Sequence, residues 1–329
     1  MKVAVLGAGK FGTAISQVLS ASVDDVFIFS RNENTIQSIN QNGQNTVYYP
    51  YFKLNKNIKA YSFKDKDELK LVDIVFFAVP SGEIKTVANL FEEQIAGKLV
   101  IMGEKGLESD TYFTASQILK RECPKAIINS LSGPTFADEL LRGNYSAATV
   151  GFVNEEAKAK IKQILKNSNL LLDYSQDVEG VEIAGVLKNV YAIAIGIFDS
   201  YYANSNSHYM FQNLCYKEMT HYLGSMSRDN GLPTKFCAFG DLLLTSNVDK
   251  SRNRTLGLMI GKELITQDGV NSAVTFEGLK SVRGMDIIAK KNGINAPIIE
   301  FVTEVIEKKE RHLEQKIHKL LFNNELSDS

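Results

Sequence analysis

Cysteine is scarce in this chain of 329 residues, which contains only Cys123, Cys215 and Cys237. The three lie far apart and form no Cys-x-x-Cys pair. Regularly spaced or paired cysteines are typical of disulfide frameworks and structural zinc sites. The sequence therefore predicts buried free thiols, and it predicts no metal site.

The net charge is also close to zero, because the chain has 37 lysines and arginines and 38 aspartates and glutamates, which gives a formal charge of -1. Such a balance gives no overall field that would attract nucleic acid or an acidic membrane. Any anionic ligand must therefore be held by a local cluster of side chains. We expect no nucleic-acid partner.

The chain shows no sign of a leader or of a membrane span. Met1 leads directly into a strand, without a charged leader or a cleavage site, and no uninterrupted apolar run is long enough to cross a bilayer. These absences predict a cytoplasmic protein without membrane insertion. The length and the 44% hydrophobic content favour two domains with a substantial core.

What the sequence does contain, at its very start, is a glycine pattern typical of dinucleotide-binding turns. The apolar run Val3–Leu6 leads into Gly7-Ala8-Gly9-Lys10-Phe11-Gly12. In such turns the first glycine allows the tight bend, the second lets a pyrophosphate approach the backbone, and the third lets the helix pack closely on the strand. The pattern predicts cofactor binding at Gly7, Gly9 and Gly12, with a turn that holds no ligand as the alternative.

The residue after the second predicted strand bears on the choice of cofactor. The strand at 26–29 ends at Ser30-Arg31. An acid at this position bonds the ribose 2′-hydroxyl of NAD, whereas an arginine suits the 2′-phosphate of NADP. Arg31 therefore favours NADP, while NAD stays open because a solvated loop arginine explains the residue almost as well.

Strand and helix patterns alternate along the first 180 residues and then give way to helices. This alternation is typical of a parallel, doubly wound sheet that binds ligands beyond the carboxyl ends of its strands. We therefore predict an α/β fold with a Rossmann-like dinucleotide-binding domain at 1–180 and an all-helical substrate domain at 181–329. The further predicted strands are 72–79, 99–102, 126–129, 147–153 and 170–174, with a helix at 155–166. The predicted helices of the second domain are 181–198, 211–224, one after Ser251, one from Glu277, and a last one from 297 to about 322, before a frayed tail at 323–329.

Lys188 is an exception within its helix, which is apolar or small at almost every other position. An unpaired ammonium there would be costly. Lys188 must therefore extend to solvent, pair with a carboxylate, or act as a general base in a polar cleft. The residues of this helix alone leave these alternatives open.

A compact polar cluster follows at Ser251-Arg252-Asn253-Arg254, shortly after Gly240-Asp241-Leu242. Ser251 can cap a helix, Arg252 offers a planar fork to phosphate oxygens, and Asn253 adds a neutral donor. The cluster is a candidate phosphate site, and an ordinary capped helix with solvated arginines is the alternative.

Taken in order, these motifs resemble the bacterial-type NAD(P)-dependent glycerol-3-phosphate dehydrogenases over nearly the whole chain. The ordered set is far more specific than any one motif. Besides the glycine turn and the Ser251–Arg254 cluster, it comprises Lys105-Gly106-Leu107-Glu108, Ser132-Gly133-Pro134-Thr135-Phe136-Ala137, Leu187-Lys188-Asn189-Val190, Gly240-Asp241-Leu242 and Phe276-Glu277-Gly278.

This resemblance implies an oxidoreductase that interconverts dihydroxyacetone phosphate and sn-glycerol 3-phosphate with NADP or NAD, and that feeds phospholipid synthesis. Lys188 would exchange the proton, Asp241 would be its polar partner, and Lys105 would touch substrate and nicotinamide. A homodimer is the candidate assembly. The other implied substrate residues are Gly133, Thr135, Ser251, Arg252 and Asn253, and the other implied cofactor residues are Lys10, Phe11, Arg31, Ala137, Arg252 and Glu277, with Phe11 standing where the family often has tryptophan.

One segment, between Asp199 and Leu214, departs from the family pattern. The glycine-rich turn and the Thr-Arg-Gly that the family has there are replaced, and only Asn204 looks retained. His208 is read as an incidental loop histidine. Two other functions stay open: a dehydrogenase of another small hydroxy acid, which the Ser251–Arg254 cluster opposes, and a cofactor-binding protein without catalysis, which the full set of candidate residues opposes.

Overall fold

The computed structural model describes residues 1–264, 277–307 and 312–322. By its contacts the chain divides into two compact units. The first, called the sheet unit, comprises Met1–Glu104 and Phe113–Glu182. The second, called the helical unit, comprises Lys105–Tyr112 and the residues from Ile183 onward. The sequence did not predict that the short segment Lys105–Tyr112 groups with the helices.

The sheet unit is built on eight strands in the order β3-β2-β1-β4-β5-β6-β7-β8. Strands β1 to β6 run parallel, β7 pairs antiparallel with β6, and β8 runs parallel to β7. The predicted doubly wound sheet is confirmed, but β3 and the reversal at β7 were not predicted. The strands are β1 (Lys2–Leu6), β2 (Asp25–Ser30), β3 (Ile58–Ser62), β4 (Ile74–Phe77), β5 (Leu99–Met102), β6 (Ile127–Ser132), β7 (Ser146–Gly151) and β8 (Leu170–Ser175).

Both faces of this sheet are covered by apolar side chains. Val3 and Val5 belong to one buried cluster, whereas Ala4 and Leu6, the alternate residues of β1, belong to another. Since successive side chains of a strand point to opposite faces, a continuous apolar run such as β1 requires cover on both sides. The helices of this unit are α1 (Lys10–Leu19), α2 (Glu33–Asn42), α3 (Ile84–Ile95), α4 (Ala115–Glu122), α5 (Ala137–Leu141), α6 (Glu155–Leu165) and the start of α7 (Val178–Tyr201).

Apart from the segment Lys105–Tyr112 and the connecting loops, the described part of the helical unit consists of helices and short turns, as predicted. Helix α7 begins in the sheet unit and continues into this one. By length and composition it could cross a membrane, but it is buried inside the protein. The predicted last helix is instead two helices, since His312 is not helical. The predicted tail at 323–329 lies outside the described residues. The further helices are α8 (Ser205–Met226), α9 (Asp241–Asn247), α10 (Arg252–Gly261) and those at Glu277–Lys291, Pro297–Glu307 and Leu313–Phe322.

Within the described residues, each unit buries a glutamate whose carboxyl faces the first turn of another helix. Glu182 accepts a hydrogen bond from the backbone N–H of Ser116, at 2.9 Å, in the first turn of α4, and burial raises the pKa of Glu182 to about 7. Glu218 accepts bonds from the N–H groups of Ile298 and Ile299, and burial raises the pKa of Glu218 to about 8. These carboxyls satisfy helix N–H groups that have no partner within their own helix.

The three cysteines are free and buried, as predicted.

Candidate active site

The glycine turn lies between β1 and α1, and each glycine meets a different steric demand. Gly7 has a φ of +113°, and a Cβ there would lie 2.5 Å from the carbonyl oxygen of Ala78. A Cβ at Gly12 would lie 1.9 Å from the carbonyl oxygen of Gly7, whereas one at Gly9 would meet no protein atom within 4 Å. The turn is therefore tight at Gly7, close-packed at Gly12 and open at Gly9, which fits a pyrophosphate that approaches the backbone at Gly9.

Three of the predicted cofactor residues, Lys10, Phe11 and Arg31, lie on α1 or directly after β2. Lys10 begins α1 and is exposed. The ring of Phe11 lies against the backbone of Gly103, since a Cβ on Gly103 would be 2.6 Å from Phe11 Cε1. Arg31 follows β2 directly and forms an ion pair with Glu83, with 2.9 Å between Nη1 and Oε2.

The segment after β6 supplies the remaining predicted residues of the sheet unit. Gly133 has a φ of +156°, and a Cβ there would lie 2.6 Å from the carbonyl oxygen of Ala147. Thr135 is buried, and its Oγ1 donates to the carbonyl oxygen of Gly133 at 3.1 Å. Ala137 is the first residue of α5. All of these residues follow the carboxyl ends of parallel strands, the edge at which such sheets bind ligands.

In the helical unit, Lys105, Lys188 and Asp241 meet in one ion cluster. Asp241 Oδ2 lies 2.6 Å from Lys105 Nζ, and Asp241 Oδ1 lies 3.2 Å from Lys188 Nζ. The side chains of Lys105, Lys188 and Asp241 are 18%, 10% and 2% exposed. Of the alternatives open for Lys188, extension to solvent is excluded, because its ammonium is paired inside the unit.

Local structure explains how Asp241 reaches both lysines. Asp241 follows a single π-helical turn at Phe236–Gly240 and begins α9. Such turns are rare in proteins and are frequent at functional sites. Lys188 lies on α7, and Lys105 lies in a stretch without regular structure.

Two further polar residues complete the cluster: Thr245, which was not predicted from the sequence, and Asn189, which was predicted only as part of the motif around Lys188. Thr245 Oγ1 accepts a hydrogen bond from Lys188 Nζ at 2.9 Å and donates to Asp241 Oδ1 at 3.3 Å. Asn189 Nδ2 donates to the carbonyl oxygen of Lys105 at 3.3 Å. The sequence could have indicated Thr245, because it lies four residues after Asp241 and residues at that spacing share one face of a helix.

The Ser251–Arg254 cluster begins α10. Ser251 is the buried N-cap and accepts from the backbone N–H of Arg254 at 3.3 Å, as a capping serine does. Arg252 is exposed, and Asn253 Oδ1 lies against the backbone of Gly278. Helix α10 packs closely on α7, because a Cβ at Gly257 would lie 2.1 Å from the carbonyl oxygen of Ile193.

Part of the last motif lies outside the described residues. Phe276 is not among them. The backbone of Glu277 begins a helix, but the Glu277 side chain lies outside the description. The predicted role of Glu277 in cofactor binding therefore stays a prediction.

The prediction that His208 lies in a loop is wrong, whereas the prediction that it is not the acid or base stays a prediction. His208 lies in the first turn of α8, a helix that begins at Ser205 and is capped by Asn204. Its Nδ1 lies 2.8 Å from Asp199 Oδ1 and its Nε2 lies 3.0 Å from Asn247 Oδ1. Asp199 Oδ2 also binds Arg254 at 2.9 Å, so the divergent segment is tied to the start of α10.

Two family models match the chain: the "NAD-dependent glycerol-3-phosphate dehydrogenase N-terminus" at residues 2–158 and the C-terminus of the same family at residues 177–316. A glycerol-3-phosphate dehydrogenase [NAD(P)+] of Methanothermobacter thermautotrophicus is 39% identical over 94% of each chain. Its counterpart in Neorickettsia sennetsu is 33% identical over 88% of this chain and 85% of its own.

A solved structure gives the same result for the fold. The glycerol-3-phosphate dehydrogenase of Coxiella burnetii matches with a TM-score of 0.86 and 25% identity over 98% of each chain. Both sequence and fold therefore agree with the motifs. The chain belongs to the NAD-dependent glycerol-3-phosphate dehydrogenase family.

Proposed function

We propose that Lys188 exchanges the proton in the interconversion of dihydroxyacetone phosphate and sn-glycerol 3-phosphate, which this protein catalyses with NAD or NADP. The observation that supports this role is the position of Lys188 Nζ, 3.2 Å from Asp241 Oδ1 and 2.9 Å from Thr245 Oγ1. These two contacts fix the direction in which the ammonium points. A fixed direction is what proton transfer to a bound substrate requires.

The cluster suits the charge that develops in the reaction. When bound, the nicotinamide supplies the hydride that reduces the ketone carbon. Lys188 in its ammonium form then gives a proton to the ketone oxygen, and neutral Lys188 removes it in the reverse direction. Two ammonium groups and one carboxylate leave one excess positive charge beside that oxygen, which stabilises a developing alkoxide.

The substrate phosphate is assigned to the start of α10. Ser251, Arg252 and Asn253 offer donors at a helix N-terminus, where backbone N–H groups and the helix dipole favour an anion. This favours a phosphorylated ketone over another small hydroxy acid. Lys105, Gly133, Thr135 and Asp241 are the other proposed substrate contacts.

The cofactor is assigned to the glycine turn, because the open backbone at Gly9 leaves room for a pyrophosphate. We further propose that residues 1–180 act as the dinucleotide-binding domain and 181–329 as the substrate domain. A homodimer, a cytoplasmic location and a role in phospholipid synthesis complete the proposal. The proposed cofactor contacts are Gly7, Gly9, Lys10, Phe11, Gly12, Arg31, Lys105, Ala137, Arg252 and Glu277.

The substitution Lys188→Ala tests the proposal. It should lower kcat for dihydroxyacetone phosphate by about 10²- to 10⁴-fold, the range of general acid-base catalysis. The dissociation constant for NADPH, followed by nucleotide fluorescence, should change by less than about threefold, because the proposed dinucleotide contacts are other residues.

The matched control is Lys217→Ala, which removes an exposed lysine from α8 of the same unit. It should keep the kcat of the unchanged protein. Normal turnover by Lys188→Ala would refute the assignment of the proton to Lys188.

A further inference from the structure

Arg31 and Glu83 lie on the two loops that flank the glycine turn. Arg31 follows β2, and Glu83 ends a short 3-10 turn, Ser81–Glu83, after β4. Strands β2 and β4 are the two neighbours of β1 in the sheet. The ion pair therefore lies at the edge where the ribose of a bound dinucleotide is read.

The pair is open to solvent and to a competing anion. The side chains of Arg31 and Glu83 are 62% and 37% exposed, and their contact is a single one of 2.9 Å. Exposed pairs of this kind are weak and exchange partners readily. A phosphate, which can accept two parallel N–H bonds from a guanidinium, competes well for such an arginine.

The polar residues beside Arg31 are already bonded to the backbone. Asn32 Oδ1 accepts from the N–H of Thr35 and caps α2, and Ser30 Oγ accepts from the N–H of Asn32. The next charged side chain along the chain, Glu33, is acidic. At the end of β2 the guanidinium of Arg31 is thus the group suited to a 2′-phosphate.

We propose that Glu83 determines cofactor selectivity at this site by competing with the 2′-phosphate of NADP for Arg31. With NAD the ion pair stays intact, and the Glu83 carboxylate can accept a hydrogen bond from the ribose 2′-hydroxyl. With NADP, Arg31 must leave Glu83, and the carboxylate then faces a phosphate of like charge. The inference rests on the proposed placement of the cofactor at the glycine turn.

The test is Glu83→Gln, which keeps the shape of the side chain and removes its charge. We expect kcat/KM with NADPH to rise by up to about fivefold, because Arg31 is released to the phosphate. With NADH it should fall or change by less than about twofold. The dissociation constant of NADPH, measured by fluorescence without substrate, should fall by a similar factor, and that of NADH should rise or change by less than about twofold.

The control is Glu93→Gln, which makes the same change of charge at an exposed position near the far end of α3. It should leave the preference between NADPH and NADH unchanged. An equal gain in both variants would mean that net charge alone is responsible, and that result would overturn the inference.

Combining Glu83→Gln with Arg31→Ala distinguishes competition for Arg31 from simple repulsion between Glu83 and the 2′-phosphate. In Arg31→Ala, the gain that Glu83→Gln gives with NADPH should shrink to less than about twofold, since the arginine that it releases is gone. An undiminished gain would overturn competition for Arg31.

Failure of the inference and failure of the proposed function give different results. If Glu83→Gln leaves both dissociation constants unchanged while dihydroxyacetone phosphate is still reduced, the inference about Glu83 is wrong. If Lys188→Ala turns over normally while Glu83→Gln still shifts the dissociation constants, the proposed catalytic role is wrong and the inference stands.

Discussion

Two ion pairs at the proposed ligand sites differ in their surroundings. In the sheet unit, Arg31 and Glu83 form a single contact, and their side chains are 62% and 37% exposed. In the helical unit, Asp241 contacts two lysines and is 2% exposed. An exposed pair contributes about 0 to 1 kcal/mol and exchanges with a ligand, whereas breaking a buried one costs about 3 to 5 kcal/mol.

This difference in burial indicates which charged group is suited to proton transfer and which is suited to ligand selection. A buried cluster that hydrogen bonds hold in place is suited to proton transfer, because groups that are already oriented need little reorganisation when charge develops. An exposed pair is suited to selection, because a ligand can displace one partner at little cost.

Removing the shared carboxylate should have the largest effect. Asp241→Asn leaves two ammonium groups without the charge that holds them, so kcat should fall by about 10²-fold and the free energy of unfolding by about 3 kcal/mol. Steady-state kinetics and thermal unfolding measure the two losses. Asp229→Asn, which removes a looser partner 3.8 Å from Lys235, should change kcat by less than about twofold. Equal effects of the two substitutions would contradict the comparison.

Glu218 is a buried carboxyl without a cation partner among the described residues. Unlike Asp241, it should stabilise the folded chain in its neutral form and not in its charged form. Burial raises the pKa of Glu218 from 4.5 to about 8, so the folded chain favours its protonated form. Its contribution to stability is full below pH 4.5 and is lost as the pH rises through about 8.

The measurement is thermal unfolding at pH 5.5 and pH 8.5. Glu218→Gln cannot ionise, so it should reduce the loss of stability between these values by about 3 kcal/mol. Glu300→Gln, at an exposed position on the helix that Glu218 caps, should keep the original dependence. A Glu218→Gln variant that loses stability with pH just as the unchanged protein does would refute the raised pKa.

Salt should have the smallest effect and should separate the two pairs directly. Raising the salt concentration from 0.05 to 0.5 M shortens the screening length from about 14 to about 4 Å. The gain of Glu83→Gln with NADPH should then shrink to about twofold, while the loss of kcat in Asp241→Asn should stay the same. Kinetics of both variants at the two salt concentrations provide the test, and parallel salt dependence would show that the two sites do not differ in this way.

Much of the sheet unit could be predicted because its signals are local. The apolar run of β1 and the three glycines of the turn are consecutive, and their steric demands act between neighbours in the chain. By contrast, β3 was missed because its residues, Ile58–Ser62, alternate only weakly between apolar and polar. The reversed direction of β7 was missed because strand direction depends on how the chain returns to the sheet, which no local pattern specifies.

The site in the helical unit was predicted only as a set of residues. The sequence singled out Lys105, Lys188 and Asp241, but it did not decide between an ion pair and a solvated lysine. It also placed His208 in a loop, because the polar run around Asn204 resembles a turn. In the structure that same asparagine caps α8 and makes His208 helical.

The sequence by itself determined the doubly wound class of the first unit, the tight glycine turn after its first strand, the helical nature of the second unit and the order of the family motifs. These depend on spacing along the chain. Only the tertiary structure decided that Asp241 bridges two lysines 53 and 136 positions away, that Thr245 joins them, and that Arg31 pairs with Glu83. Such contacts depend on how distant elements pack, because burial and the charge of each partner are set by neighbours that the local sequence does not contain.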